Sequence, residues 1–123
     1  MGAATQTATA TVDEPSVRRT PVNRSPCCAI YHHAVELIGK RWTGAILLVL
    51  MDGPLRFSQV RQLVPDVSDR LLSERLKELE AEGIVLRSVY DETPVRVEYS
   101  LTEKGEALGP VLRSLKSWSH EHC

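Results

Sequence analysis

The stretch SQVRQLVPDVSDRLLSERLKELEAEG, residues 58–83, decides the fold, because it predicts two helices joined by a tight turn. The first helix covers residues 59–64 and ends at Pro65, which cannot continue a helix. The second helix covers residues 69–82, and Gly83 favours its termination. A short helix, a tight turn and a longer helix are the pattern of helix-turn-helix proteins.

Two further helices precede this stretch, and a β-hairpin and a last helix follow it. Apolar residues at helical spacing predict helices over residues 26–38 and 41–51. Alternating residues over 84–90 and 95–101 predict two antiparallel strands around a polar turn. An apolar stripe predicts a long last helix over residues 103–120. The predicted fold class is therefore α+β, mostly helical: a winged helix-turn-helix with dimerisation helices at its N- and C-terminal ends.

The composition is that of one small domain with a tail. Of the 123 residues, 42% are hydrophobic, which is enough for a packed core. Residues 1–24 show no sustained periodicity and predict a flexible tail, so the folded domain is expected over residues 25–123. No apolar run approaches the roughly 20 residues of a membrane span, and no signal peptide is visible, which predicts a cytoplasmic protein. The net charge of −1 counts against a strongly basic surface, although a local basic stripe remains compatible with it.

The helix predicted over residues 69–82 has an apolar side and a polar side. A helical projection places Leu72, Leu76 and Leu79 together, facing the core. The opposite side carries groups that pair with base edges in a major groove. The predicted DNA-binding residues on this helix are Arg70, Ser73, Glu74 and Lys77, with Arg75 on the flank facing phosphate. The alternative interpretation is a solvated helix face with charge pairs such as Arg70–Glu74.

The hairpin corresponds to a wing that adds contacts to double-stranded DNA. Arg87 and Arg96 flank its tip, where they are placed to touch phosphates or to enter a minor groove. Asp91 and Glu92 at the tip weaken the case for a strongly basic wing. Arg56, which precedes the helix-turn-helix, is a further candidate contact to the DNA backbone.

The last predicted helix is expected to form the interface of a homodimer. Its apolar stripe needs a partner surface, because a core of this size cannot bury the whole stripe. The predicted interface residues are Leu108, Val111, Leu112, Leu115 and Trp118. The helix over residues 26–38 is expected to contribute to the same interface.

Two adjacent cysteines begin the first helix, and a third ends the chain. With Ser25 as N-cap and Pro26 as the first helical residue, Cys27 and Cys28 fall in the first turn, whose positive end stabilises a thiolate. Cys123 is expected to be exposed. The alternative is that Cys27 and Cys28 are small buried hydrophobic residues.

A metal protein and an enzyme are the other chemical classes to weigh. The sequence has two groups of metal-binding residue types: His32 and His33 with Cys28, and His120 and His122 with Cys123. No CxxC or HxxxH spacing accompanies them, so neither a metal nor a cofactor is predicted. No glycine-rich phosphate loop or nucleophile elbow is present, so an enzyme is not predicted either.

Four motifs in order resemble those of a known family. They are Gly39-Lys40-Arg41-Trp42, MDGPLRF at residues 51–57, LKELE at residues 76–80 and TPVRVEYSLTEKG at residues 93–105. Together they resemble the HxlR family of MarR-like winged-helix regulators of bacteria, over about residues 27–123. The resemblance implies a transcription regulator, most similar to repressors, that binds a palindromic operator as a homodimer.

Within that family the chain is similar to the YodB/CatR-type repressors, which sense quinones, diamide and related electrophiles. Cys28 stands fourteen residues before Trp42, and Cys123 stands five residues after Trp118, where these sensors place cysteines. The resemblance implies that Cys28 can form a disulfide with Cys123 of the partner subunit. Cys27 departs from the pattern, so which of the two adjacent thiols reacts stays open. The alternatives are a regulator that responds to a small ligand or metal without redox sensing, and a winged helix that docks proteins.

Overall fold

A computed structural model describes residues 21–26 and 28–123, and this part of the chain contains six helices and one two-stranded sheet. The elements run in the order α1 (Ala29–Ile38), α2 (Thr43–Leu50), α3 (Phe57–Leu63), α4 (Asp69–Ala81), β1 (Val85–Tyr90), β2 (Arg96–Leu101), α5 (Glu103–Glu106) and α6 (Gly109–His122). Helices α3 and α4 form the helix-turn-helix, and the β1–β2 hairpin is the wing. The predicted fold class is confirmed. The expectations for residues 1–20 and for Cys27 lie outside the described residues.

Helix α4 begins and ends where its local sequence requires. Ser68 is the N-cap, and its hydroxyl accepts a hydrogen bond from the backbone N–H of Leu71 at 3.1 Å. Gly83 adopts a φ of 74°, a left-handed conformation that glycine tolerates and that ends the helix. The segment that decides the fold is therefore stabilised at both ends by its own residues.

The core lies between the helix-turn-helix, α2 and the base of the wing. Its members are buried apolar side chains, listed here in chain order: Ile46, Leu47, Leu50, Val60, Val64, Val67, Leu72, Leu76, Leu79, Ile84, Val85 and Leu112. The three leucines of α4 are all among them, as the projection predicts. Burial of the apolar side of α4 leaves its polar side facing away from the core.

A short backbone bridge fastens the wing to the segment before α3. Strands β1 and β2 pair antiparallel, with Val85 opposite Leu101 and Tyr90 opposite Arg96. Leu55, which precedes α3, forms an isolated antiparallel bridge with Tyr99 of β2. Its N–H donates to the Tyr99 carbonyl at 2.9 Å, and its carbonyl accepts from the Tyr99 N–H at 2.8 Å. The wing and the segment leading into α3 thus share main-chain hydrogen bonds.

The first helix begins three residues later than predicted. Cys28 is the N-cap of α1, with extended backbone, and its Sγ accepts a hydrogen bond from the N–H of Tyr31 at 3.3 Å. The expectation that Ser25 caps the helix and that Cys28 lies within its first turn is therefore wrong. A thiol in the capping geometry takes the acceptor role that Ser25 was expected to fill.

The long last helix is interrupted. The sequence predicts one helix over residues 103–120, but α5 ends at Glu106 and α6 starts at Gly109. Pro110 lies in the first turn of α6, where its missing N–H costs nothing and where it could not continue an existing helix. Thr102 caps α5 and accepts from the N–H of Gly105 at 3.1 Å.

Helices α2 and α3 differ from their predicted ranges by a few residues. Helix α2 starts at Thr43 because Trp42 has a φ of 77°, which is outside the right-handed helical region. Helix α3 starts at Phe57, since the N–H of Arg56 donates to the Gln59 side chain at 2.8 Å and sets the N-cap there.

Candidate nucleic-acid interface

The polar side of α4 presents a compact set of side chains outside the core. Arg70 is 91% exposed, Glu74 and Lys77 are exposed, and Ser73 is half-buried. The spacing of these four residues places them on one face of the helix. Arg70 Nε lies 3.8 Å from Glu74 Oε2, which is a loose ion pair at the surface. The face is therefore open to a large, flat or grooved partner.

Arg75 has a different environment from the one expected. Its side chain is only 15% exposed, and its Nε donates to the Arg41 carbonyl at 3.0 Å. Its Nη1 lies 3.2 Å from both carboxylate oxygens of Glu78. Lys40 Nζ also approaches Glu78, at 3.3 Å. Arg75 therefore joins α4 to the segment between α1 and α2, and the expectation that it faces phosphate is not supported by its position.

Arg96, the first residue of β2 after the turn of the wing, contacts three neighbouring side chains. Its Nη1 donates to Glu98 at 2.8 Å, its Nη2 donates to Glu92 at 3.0 Å, and its guanidinium lies 4.1 Å from the centre of the Tyr90 ring. The hydrogen bond that Arg96 donates to Glu92 raises the pKa of Arg96 above its usual value; burial opposes this rise, and the charges of Glu92 and Glu98 support it. Arg96 is thus a fixed cation.

Sequence reasoning missed the partners of Arg96 and Arg75. Arg96 and Glu98 are two residues apart on a strand and hence on one face, a relation that the predicted strand already contained. The Tyr90–Arg96 contact depends on the hairpin register, and the bond from Arg75 to the Arg41 carbonyl spans 34 residues. Neither of these two contacts has a local signature in the sequence.

The remaining basic candidates lie at the surface. Arg56 is exposed at the start of α3, and Arg87 is exposed on β1. Arg61 of α3 pairs with Asp69 in the first turn of α4, with 2.6 Å between Nη1 and Oδ1. This ion pair ties the two helices of the helix-turn-helix together across their turn.

The described cysteines stand at opposite ends of two helices. Cys28 is exposed and caps the start of α1, and Cys123 is exposed and follows the end of α6. The alternative that Cys28 is a buried hydrophobic residue is therefore wrong. Cys27 lies outside the described residues.

Helices α1 and α6 expose large apolar side chains. On α1 these are Ile30, Tyr31 and Val35, and on α6 they are Val111, Leu115 and Trp118. Leu112, predicted at a dimer interface, is 3% exposed and packs in the core, and Leu108 packs against the core as well. The exposed apolar stripe of α6 therefore contains fewer residues than predicted, because Leu112 lies on the side of the helix that faces the core.

An apolar cleft of about 280 Å³ lies between α1 and α5. Ile30, Ala34 and Leu37 line it from α1, and Ala107 and Leu108 line the opposite side. His33 and Glu82 stand at this cleft, joined by a 3.2 Å contact between Nε2 and Oε1.

Residues 21–26 and 28–123 contain neither a metal-binding cluster nor a helix that could span a membrane. In this range no three residues among His, Cys, Asp and Glu come together in a way that could hold a metal ion. No helix in the same range is long and apolar enough to cross a membrane.

Comparison with known proteins gives matches over most of the chain. The family model described as HxlR-like helix-turn-helix matches residues 37–123. The HTH-type transcriptional regulator YodB of Bacillus subtilis is 49% identical over 96 residues, which are 78% of this chain and 86% of YodB. The reduced form of YodB superposes with a TM-score of 0.72 at 48% identity, covering 80% of this chain and 96% of that one.

Two other regulators share the fold. The redox regulator HypR in its oxidised form has a TM-score of 0.73 at 38% identity, covering 77% of this chain and 98% of HypR. A MarR-family transcriptional regulator from Enterococcus faecalis V583 has a TM-score of 0.70 at 29% identity, covering 83% of this chain and 93% of that one. YodB has also been solved with quinone bound; that structure has a TM-score of 0.68 at 44% identity and covers 77% of this chain and 99% of that one.

These matches confirm the resemblance found in the sequence motifs, and the matched proteins named above are transcriptional regulators rather than enzymes. The chain belongs to the HxlR-like helix-turn-helix family and is a transcriptional regulator with a MarR-like winged-helix fold.

Proposed function

We propose that this regulator binds a palindromic DNA operator as a homodimer and acts as a repressor. The observation that carries the proposal is the division of α4 into a buried leucine side and an open polar side. In helix-turn-helix docking the second helix enters the major groove with residues of its N-terminal part against the base edges. Arg70, Ser73 and Glu74 lie in that part of α4.

Each polar residue of α4 has a chemistry that suits a base edge. Arg70 and Lys77 are donors for guanine acceptors, Glu74 accepts from cytosine, and Ser73 does either. Arg56, Arg87 and Arg96 are the proposed contacts to the phosphate backbone. Arg75 contributes indirectly, since it fixes the orientation of α4 through the Arg41 carbonyl.

A second copy of the chain is the proposed cover for the exposed apolar faces of α1 and α6. Helices α1 and α6 together expose six large apolar side chains, and grouped exposed apolar side chains are typical of a protein–protein interface. The proposed interface consists of Val111, Leu115 and Trp118 from α6 with the exposed side of α1, and Leu108 borders it. A two-fold dimer presents two copies of α4 about 34 Å apart, one turn of DNA.

The operator proposal is tested with duplexes selected from a random library by the reduced full-length protein. We expect an enriched palindrome for which the logarithm of the binding constant falls linearly with the logarithm of the salt concentration, with a slope of about −0.9 per phosphate contact. A scrambled duplex of the same composition is the control. Absence of any enriched duplex, or a slope near zero, would contradict DNA binding and would favour a winged helix that docks proteins.

We also propose that Cys28 senses thiol oxidants and quinones. Cys28 is exposed at the N-terminal end of α1, where its sulfur is accessible to a small electrophile. A quinone forms a carbon–sulfur bond with this sulfur and takes up a proton. Diamide accepts two electrons and two protons as the thiols of Cys28 and of Cys123 of the partner subunit join in a disulfide. The similarity to YodB, solved in reduced and quinone-bound forms, supports the proposal.

Oxidation or alkylation of Cys28 is proposed to lower the affinity of the regulator for DNA. A bond at Cys28 moves α1 relative to α6 and changes the spacing of the two α4 helices. A change in spacing lowers affinity because both helices no longer reach their half-sites together.

The sensing proposal is tested with Cys28→Ser, because serine keeps a capping acceptor at the start of α1. We expect diamide to release the wild-type protein from its selected duplex, and Cys28→Ser to stay bound. Cys27→Ser and Cys123→Ser, analysed by mass spectrometry for disulfides across subunits, assign the reacting pair. Equal release of wild type and Cys28→Ser would rule out Cys28 as the sensor.

A further inference from the structure

The guanidinium of Arg96 has two carboxylate partners of unlike character. Glu98 lies on strand β2, is 19% exposed, and accepts from Nη1 at 2.8 Å. Glu92 lies in the turn of the wing, is 51% exposed, and accepts from Nη2 at 3.0 Å. Ion pairs at exposed positions are weak and readily exchanged, whereas shielded ones persist. Glu98 is therefore the lasting partner and Glu92 the replaceable one.

The remaining contacts of Arg96 keep its orientation fixed. The Tyr90 ring lies 4.1 Å from the guanidinium carbon, and the strand register places Tyr90 directly opposite Arg96. Loss of the Glu92 contact would leave Glu98 and Tyr90 in place. Arg96 would then present Nη2 to the solvent in the geometry that it already has.

The Glu92 carboxylate occupies the position at Nη2 that a phosphate oxygen would take, since guanidinium binds both anions through the same donor geometry. Resting on the proposed function, we propose that Glu92 is a stand-in for DNA phosphate: it occupies Nη2 of Arg96 in the free protein and is displaced when the wing meets a duplex. The exchange makes each contact between Arg96 and a phosphate cost the Glu92–Arg96 ion pair. Glu92 thereby lowers affinity for duplexes in general and leaves discrimination to α4.

Long-range repulsion between an acidic wing tip and DNA is the competing explanation, and the chain offers a matched control for it. Asp91 is adjacent, exposed and of the same charge, and the ion pairs of Arg96 are made by Glu92 and Glu98. Repulsion would give Asp91→Asn and Glu92→Gln similar effects. Displacement of a stand-in makes only Glu92→Gln effective, and only while Arg96 is present.

The test measures fluorescence anisotropy of reduced full-length protein with the selected palindrome and with a scrambled duplex. We expect Glu92→Gln to tighten binding to both duplexes by about two- to fivefold, the range of an exposed ion pair, and Asp91→Asn to change it much less. In the Arg96→Gln background, Glu92→Gln is expected to have no effect. Circular dichroism melting curves confirm that each variant keeps the fold.

Each other outcome overturns the inference in an identifiable way. Equal effects of Asp91→Asn and Glu92→Gln, or an effect that persists without Arg96, would assign the role of Glu92 to general repulsion. Weaker binding of Glu92→Gln would mean that the ion pair supports the wing in its bound shape. If the wild-type protein binds neither duplex at low salt, the proposed function itself fails, which is distinguishable because no variant comparison is then involved.

Discussion

Arg70 and Arg75 are five residues apart on the same helix, yet their environments divide them into two roles. Arg70 is almost fully exposed and makes one loose ion pair, whereas Arg75 is largely covered and hydrogen-bonded to the Arg41 carbonyl. An exposed side chain is available to a partner, while a covered one with fixed donors contributes to the structure of the monomer.

This contrast predicts opposite phenotypes for two equivalent substitutions. Arg70→Gln is expected to weaken binding to the selected palindrome by about 1–3 kcal/mol and to leave the melting temperature unchanged, since it removes only the proposed base contact. Arg75→Gln is expected to lower the free energy of unfolding by about 1 kcal/mol, because it removes hydrogen bonds within the monomer. Anisotropy titrations and thermal unfolding measure the two effects. A lower melting temperature for Arg70→Gln with unchanged DNA affinity would reverse the assignment.

At the scale of the residue, the sequence predicts which side of α4 each side chain occupies, but it does not predict which distant residues that side chain contacts. The exposure of Arg70 and the burial of Leu72 follow from helical periodicity alone. The covering of Arg75 depends on a carbonyl group 34 residues away, and no local pattern contains that information.

At the scale of the elements, α6 has two apolar sides, one buried in the core of the monomer and one exposed. Leu112 faces the core of its own monomer, whereas Leu115 is exposed one turn further along. Both belong to the stripe that the sequence predicts as an interface, and only packing against α2 and its neighbours separates them.

The two leucines are therefore expected to respond differently to substitution. Leu115→Glu should convert a dimer into a folded monomer, because it places a charge in an apolar interface without entering the core. Leu112→Ala should lower the free energy of unfolding by about 2–5 kcal/mol through a core cavity. Sedimentation analysis measures the first effect and thermal unfolding the second. A dimer that persists in Leu115→Glu would place the interface elsewhere.

The bounds of α4 could be predicted from its cap and its terminal glycine, and the bounds of α1 and the last helix could not. Ser68 and Gly83 act locally, so sequence is sufficient for α4. The apolar stripe runs across Gly109 and Pro110, so helical periodicity alone does not place the break before α6. At α1, serine is the usual cap, and a cysteine in that role has no common sequence signature.

At the scale of the whole molecule, the proposed dimer fixes the distance between its two α4 helices and so requires a matching distance between the two half-sites of the operator. Two copies of α4 held about one helical turn apart require half-sites on the same face of the duplex. A net charge of −1 per chain gives little non-specific attraction to DNA. The affinity of the proposed complex is therefore expected to depend more on simultaneous binding of both half-sites than it does in a strongly basic protein.

This requirement predicts a strong dependence on operator geometry. Insertion of about five base pairs between the half-sites rotates one of them by half a turn, so the affinity is expected to fall to that of a single half-site. A duplex with the same five base pairs added outside the palindrome is the control. Equal affinity for both duplexes would show that the two recognition helices bind independently.

The backbone bridge between Leu55 and Tyr99 bears on how such a protein can diversify. Because the two hydrogen bonds of this bridge join main-chain atoms, substitution of side chains on the polar side of α4 or at the hairpin tip leaves the attachment of the hairpin to the chain entering α3 in place. Substitutions at the tip are therefore expected to change the affinity of the proposed DNA complex without removing the attachment of the hairpin to the chain entering α3. A single scaffold can then acquire new operator preferences by exchanging a few surface residues at a time.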